Sequence, residues 1–436
     1  MIEYLYFLYP IGHKTLLKDI YIGQAGQILE YCDGCFSVRD YFIYDLEPEH
    51  HLEEGELLDN LWQTSKSVFK DVVSWINNKT VVIPLSSGFD SRFIASMLKL
   101  FKVKDVICVC YGLKDNYEAK ISRKVAEKLG FEWCFVEYSY DRWLNILKSN
   151  KLIDYFKKVL PLYTTLNIQE YLMIMEFLKD EFSKSKSYVF IPGDSGDFLS
   201  GSHITGETAS VQTLEDVIYA ISKNVWLHFR EWPPPRLVLS ELRSYVTSLV
   251  RRSPKLAALP RYKFVEAFDW REKQAKFIAS TRMIYAHFNQ KFIIPLWDKR
   301  FAWFWSTVPL EYKYNKTLYH KFLYSYIFGP LGVDFSRGNS PLTMKNYIKQ
   351  VKLISLIGNV LRKIRTSLGK KISYDPCGFH TYFPLTKKIF SKLLKKEYRY
   401  LENIKRKFGL REPVNPWAYM AEAQILVLLQ ILNTVL

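Results

Sequence analysis

Apolar residues set the rhythm of this chain. From Leu57 to Ile76 they recur at helical spacing. Short apolar runs then alternate with amphipathic stretches: strand 81–85, helix 91–101, strand 105–111, helix 116–129, strand 133–138 and helix 140–149. A long helix over Thr165–Phe182 and a strand over 188–192 extend the series. Strands alternating with helices predict an α/β fold, an open, mostly parallel sheet with helices on both faces. Ahead of it, the first fifty residues read as short β segments with turns at Gln24-Ala25-Gly26-Gln27, Cys32-Asp33-Gly34 and Val38-Arg39-Asp40. From Ala209 onward the pattern is mostly helical. It has a loop at Trp232-Pro233-Pro234-Pro235, a helix over Arg271–Gln290 and further helices from Thr343 to the end. Breaks fall at Pro376-Cys377-Gly378 and Glu412-Pro413. The last apolar stretch, Trp417 to Leu436, carries Glu422, Gln424, Gln430 and Asn433, and reads as a buried helix rather than a membrane span. The expected division is a β-rich segment over 1–56, an α/β domain over 57–340 and a helical region over 341–436.

Composition narrows the class. With 436 residues and 48% hydrophobic content the chain is globular and has ample core. No basic leader or small-residue cleavage site marks the apolar stretch Met1–Pro10. Six scattered cysteines fit a reducing cytoplasm. Cys32 and Cys35 have metal-knuckle spacing but no second pair, so a hairpin turn at Asp33-Gly34 outweighs a zinc site. The net charge of +17 is regional. Pro341 to Glu412 holds 18 Lys and Arg against 4 Asp and Glu. Amphipathic stretches at Ile354–Leu368 and Ile389–Leu401 carry much of it. Such a tract can be a set of solvated helix faces, or it can meet an anionic membrane surface from the cytoplasmic side, with nucleic acid the weaker expectation.

The chemistry concentrates in Leu85-Ser86-Ser87-Gly88-Phe89-Asp90-Ser91, where a strand ends and a helix begins. Backbone N–H groups of such a turn can wrap a phosphate at a helix start. Gly88 permits the close approach. An acid beside phosphate is repulsive unless a divalent cation intervenes, so Asp90 implies Mg²⁺ and a nucleoside triphosphate. No Gly-x-x-x-x-Gly-Lys-Ser/Thr string is present. A second loop, Gly193-Asp194-Ser195-Gly196-Asp197, sets two acids three apart among glycines after another strand. These loops and Cys110-Tyr111-Gly112 all fall at carboxyl ends of strands, where open α/β sheets bind ligands.

The Ser-x-Gly-x-Asp-Ser spacing resembles the pyrophosphate loop of N-type ATP pyrophosphatases, and Gly193–Gly201 resembles the acidic loop of asparagine synthetases. Tyr111 to Glu118 looks like that family's adenine loop, Ile294-Pro295-Leu296-Trp297-Asp298 like its Pro-Phe-Leu-Asp segment, and Gly12 to Ile20 like its interdomain connection. The resemblance implies an adenine nucleotide alpha hydrolase-like sheet and Mg²⁺ on Asp90 and Asp197. It implies ATP held by Leu85, Ser86, Ser87, Gly88, Asp90, Ser91, Cys110, Tyr111, Gly112 and Gly193. Asp194 falls on the family acid that works on the substrate side. Arg337 and Lys345 are the nearest basic candidates for the catalytic cation.

The chain also departs from that family. Ile2 stands where a glutaminase half would place its nucleophilic Cys, so glutamine hydrolysis by that route is not expected. Ile293 replaces an Arg frequent before the Pro, and Asp194 is a methylene shorter than the usual Glu. These changes point to a substrate other than aspartate. The implied activity is AMP-forming amide synthesis. A small-molecule, glycan or peptide carboxylate is adenylated, and then ammonia or an amine, from solution or from a separate glutaminase, attacks. Alternatives are a tRNA-modifying enzyme that keeps the pyrophosphatase loop, and a non-catalytic relative that binds a partner. His203, just after the acidic loop, is a candidate base, although a lone His there is more often structural.

Overall fold

The computed structural model describes residues 1–44, 49, 52–179, 188–225, 236–252, 259–335, 375–408, 410 and 416–435. Near the start, β1 (Gln27–Cys32) and β2 (Cys35–Asp40) pair as an antiparallel hairpin. Asp33 and Gly34 form its turn with φ of 49° and 78°, so the Cys32–Cys35 spacing is hairpin geometry. The central sheet is built from β3 (Thr80–Pro84), β4 (Val106–Gly112), β5 (Glu132–Glu137), β6 (Tyr188–Phe190) and β7 (Lys291–Phe292). All four pairings are parallel, and the strand order is β5-β4-β3-β6-β7.

Side-chain alternation explains why both faces are covered. Val82, Ile107 and Val109 point into one core, whereas Val81, Ile83 and Cys108 point into the other. The second core takes α2 (Glu54–Ile76), α3 (Phe89–Leu100) and α4 (Tyr117–Leu129), through residues such as Val68, Phe93 and Val125. On the first core lie α5 (Tyr140–Lys148), α6 (Lys151–Val159) and α7 (Tyr171–Phe177). Three C-terminal helices join that same core: α8 (Phe379–Leu393), α9 (Lys395–Lys407) and α10 (Pro416–Val435). Asn116 and Ser139 cap α4 and α5 through their side chains.

The structure departs from the sequence pattern in four places. Ile2–Phe7 is a helix rather than a β segment, with Tyr4, Leu5, Tyr6 and Phe7 all buried. A segment buried on every side shows no helical period. The helix expected over Thr165–Phe182 shrinks to Tyr171–Phe177. Its intended first turn is used elsewhere, because the Thr165 N–H donates to the Leu8 carbonyl (3.0 Å) and the Leu166 N–H to Gln424 Oε1 (2.8 Å). The helix over Arg271–Gln290 runs as a π-helix (Asp269–Ala279), a short 3₁₀ turn and an α-helix (Met283–His287). Buried Glu272 shapes that start by accepting from the Gly12 N–H, Gln24 and Lys276. Ile389–Leu401 breaks at Leu394 into α8 and α9. The Pro-rich turn at 232–235, the Thr343 start, the stretch Ile354–Leu368 and the break at Glu412-Pro413 lie outside the described residues.

The terminal helix is bonded into the sheet domain as well as packed on it. Besides accepting from Leu166, Gln424 donates to the carbonyls of Pro161 (3.0 Å) and Thr164 (2.9 Å). Among the described residues no helix is long and apolar enough to cross a membrane.

Candidate active site

At the carboxyl ends of β3, β4 and β6 a cavity of about 350 Å³ opens. Leu85, Ser86, Gly88, Asp90, Ser91, Cys110, Tyr111, Gly193, Asp194 and Asp197 all line it. Two other sequence candidates stand just behind that lining. Ser87 turns its carbonyl to Arg92 Nη2 (2.8 Å). At Gly112, φ is 140°, and an added Cβ would lie 2.5 Å from the Pro376 carbonyl. Gly112 therefore lets the segment before α8 cross the end of β4. The next N–H, that of Leu113, donates to the same carbonyl at 2.7 Å, and Cys377 reaches the cavity. Arg337 and Lys345 lie outside the described residues.

The first loop is tied internally. The Ser86 N–H donates to Ser91 Oγ (3.2 Å) and the Gly88 N–H to Ser86 Oγ (3.0 Å). No side chain caps α3 at Gly88. Its first N–H groups and the positive end of the helix dipole therefore face the cavity, an arrangement suited to an anion. Buried Arg92 holds the loop from behind, donating also to the carbonyls of Val333 (3.0 Å) and Phe335 (2.9 Å).

The second loop locks against the first through absent side chains. A Cβ on Gly193 would lie 2.6 Å from the Ser91 nitrogen, and one on Gly196 would lie 2.4 Å from Asp90 Oδ1. Glycine at these positions brings Asp90 and Asp197 to one cavity from two strands. Asp197 is 64% exposed and ion-paired to Lys316, whose side chain is only 15% exposed. Tyr319 donates to Asp90 Oδ1 at 2.8 Å. Burial, then the nearby Asp197 carboxylate, push the Asp90 pKa up to about 7, against the pull of Lys316 and Tyr319.

Deeper in, Arg282 holds two acids at once. It donates to Asp194 Oδ1 (2.9 Å) and to Glu170 Oε2 (2.9 Å), with a further 2.6 Å contact from Nε to Asp194 Oδ2. Tyr285 also donates to Glu170, at 2.5 Å. Burial raises the Asp194 pKa to about 6 although Arg282 opposes the shift. Burial alone would weaken the Arg282 cation, but Asp194 and Glu170 reverse that and raise its pKa well above the ordinary value.

Among the lining residues, Asp90, Glu118, Glu170, Asp194 and Asp197 face the single cation Arg282. Arg282 is already shared between two of them. Asp90 and Asp197 offer hard carboxylate oxygens, the donor type that would suit Mg²⁺. His203 lies elsewhere, paired with Asp269 at 2.7 Å, and does not line this cavity. The Ile294–Asp298 segment has a structural place. Leu296 lies against Gly196, and Asp298 caps the helix Lys299–Thr307 and binds Arg300.

Sequence reading passed over Arg92, Glu170, Arg282, Lys316 and Tyr319. Arg282 had one signal, an arginine in a mostly apolar stretch. Lys316 and Asn315 both take positive φ, and Asn before Lys is a weak sign of such a turn.

A parallel sheet covered on both faces, with an uncapped helix start and an acidic crevice at its carboxyl edge, defines an adenine nucleotide alpha hydrolase-like α/β fold. The family model for asparagine synthase matches residues 68–326, and the chain belongs to that family. It is a family of ATP-using, amide-forming synthetases, and a ligase-type enzyme follows. A comparison with curated proteins gave no match.

Proposed function

We propose that this chain is an AMP-forming synthetase that activates a substrate carboxylate with ATP and transfers the acyl group to ammonia or an amine. One observation carries the reading: Asp90 and Asp197, from two different strand ends, share one cavity with the uncapped start of α3. The substrate carboxylate oxygen attacks the α-phosphorus, and the bond to the bridging oxygen breaks as pyrophosphate leaves. The amine nitrogen then attacks the acyl carbon, AMP leaves, and the nitrogen loses a proton. Two anions must meet in the first step, so charge neutralisation carries much of the catalysis.

In this reading Ser86, Ser91 and the backbone of Ser87 to Phe89 cradle the departing pyrophosphate. Asp90 and Asp197 would hold Mg²⁺, which would neutralise phosphate charge when bound. Lys316 adds a cation at the mouth, in the role for which Arg337 and Lys345 were the sequence candidates. Cys110, Tyr111 and Gly112 border the adenine side. Asp194, fixed by Arg282, orients the incoming amine. Cys110 and Cys377 also line the cavity, but burial pushes the Cys110 thiol up to about 12 and raises that of Cys377 as well. Thiols held protonated in this way do not favour sulfur transfer to a tRNA base.

The test is ATP–pyrophosphate exchange across a panel of small, glycan and peptide carboxylates. One class should support exchange, and Asp90→Asn and Asp197→Asn should each abolish it without loss of fold. Exchange at the wild-type rate in either variant would sink the assignment.

A further inference from the structure

The basic residues of the C-terminal helices have no part in the cavity above. The structure sorts them into two groups. Lys387 and Lys405 are buried and both pair with Glu422, which is fully buried on α10. This triad clamps α8 and α9 to α10 and neutralises the inner lysines. The outer cations have a different setting. At 100° per residue, Lys395, Lys396, Arg399, Tyr400, Asn403, Arg406 and Lys407 share one arc of α9, and all are exposed. No acid lies on that arc. Glu397 instead accepts from Asn433 (3.1 Å), and Glu402 from Lys405 (3.1 Å). Where α8 meets α9, an open cleft of about 420 Å³ gathers Lys388, Lys392 and Lys395 around Tyr398 and Tyr419.

Large apolar side chains stand out among these charges. Leu393 and Tyr400 are each 56% exposed, and Phe408, which ends α9, is 37% exposed. Exposed cations interleaved with exposed apolar residues mark a surface that lies on a bilayer, with cations at phosphate level and apolar groups dipping below. Among the described residues no helix is long and apolar enough to cross a membrane, so the docking proposed from them is at the surface.

We propose that the outer face of α8 and α9 docks on a membrane surface containing anionic phospholipid. Charge complementarity supplies the attraction. RNA is the weaker fit, because Leu393, aliphatic and at the corner of the two helices, offers nothing to a base or a phosphate.

Full-length protein should cosediment with vesicles of phosphatidylcholine and phosphatidylglycerol at low salt, and much less with phosphatidylcholine alone. Lys392→Glu, Lys396→Glu and Arg399→Glu together should weaken binding at least about a hundredfold. The neutral Gln versions should weaken it less. Leu393→Ser with Tyr400→Ser should weaken binding at low and high salt alike, whereas the charge variants act mainly at low salt. ATP–pyrophosphate exchange should be unchanged in every variant, which separates this proposal from the assignment of the cavity. Equal binding to both vesicle types overturns the proposal. So does cosedimentation that survives charge reversal, or RNA binding without vesicle binding.

Discussion

Arg282 grips Asp194 with two nitrogens, at 2.6 and 2.9 Å, although it lies 88 residues later in the chain. This fork of two nitrogens, one hydrogen bond and one ion-pair contact, positions the carboxylate as well as neutralising it. Lysine at this position would keep the cation and lose the second contact. Arg282→Lys should therefore lower turnover about a hundredfold, with little change in ATP–pyrophosphate exchange. Arg282→Gln should also destabilise the fold by about 3–5 kcal/mol, since Asp194 and Glu170 would lose their shared cation. Equal loss of exchange and turnover in Arg282→Lys would remove Asp194 from the second step.

That fork also shows where the sequence stops being informative. The strands, α3, α4 and both acidic loops were legible, because apolar alternation and Gly-Asp spacing are local signals. The chain alone thus points to Asp90, Asp194 and Asp197, and the fold brings all three to one cavity. Their partners were not legible. Arg282, Glu170 and Lys316 reach the site from separate elements, and no short-range pattern joins them. Ile2–Phe7 departs from its sequence pattern for a related reason. Its environment is set by distant helices, so its own periodicity carries no direction.

Close approach of the two loops gives a second prediction. Gly196→Ala would place a methyl carbon 2.4 Å from Asp90 Oδ1 and 2.8 Å from Leu296 Cδ1. The carboxylate must then move. Exchange should fall about a hundredfold, with a stability loss of about 1–3 kcal/mol from overpacking. Gly55→Ala is the control. It is exposed in the first turn of α2 with nothing within 4 Å of the new carbon, and should leave exchange unchanged with no loss of stability. Full exchange in Gly196→Ala would show that Asp90 need not sit where it does.

Asp90 makes stability depend on pH. Its folded pKa, about 7, is raised from 3.8, chiefly by burial and then by Asp197. A carboxyl shifted upward favours the fold fully below the unfolded value, and that contribution is lost as pH rises through the folded value. Without Mg²⁺ the protein should therefore lose stability between pH 4 and pH 7. Asp90→Asn should flatten this slope. At pH 8 it should be more stable than the wild type by on the order of 2 kcal/mol, about half the full linkage value because the side chain is only half-buried. Urea unfolding across this range checks the sign. A variant less stable than wild type at every pH would mean that the ionised carboxylate is a net stabiliser.

Lys316 gives the last prediction. Its side chain is 15% exposed, pairs with Asp197 and lowers the Asp90 pKa, so it stands where Mg²⁺ would also be drawn. Bound to Asp197, it would compete with a Mg²⁺ ion held there. Displaced from Asp197, it would be free to neutralise charge on the phosphates or the acyl adduct. The two roles predict opposite changes in one variant. Lys316→Gln should bind Mg²⁺ more tightly, because Asp197 loses its competitor, while turnover falls about 10²–10³-fold through the lost cation. Calorimetric Mg²⁺ titration and steady-state kinetics on the same preparation measure both. A lysine that merely holds the loop would move both in the same direction, weaker metal with slower turnover, and that result would return Lys316 to a structural role.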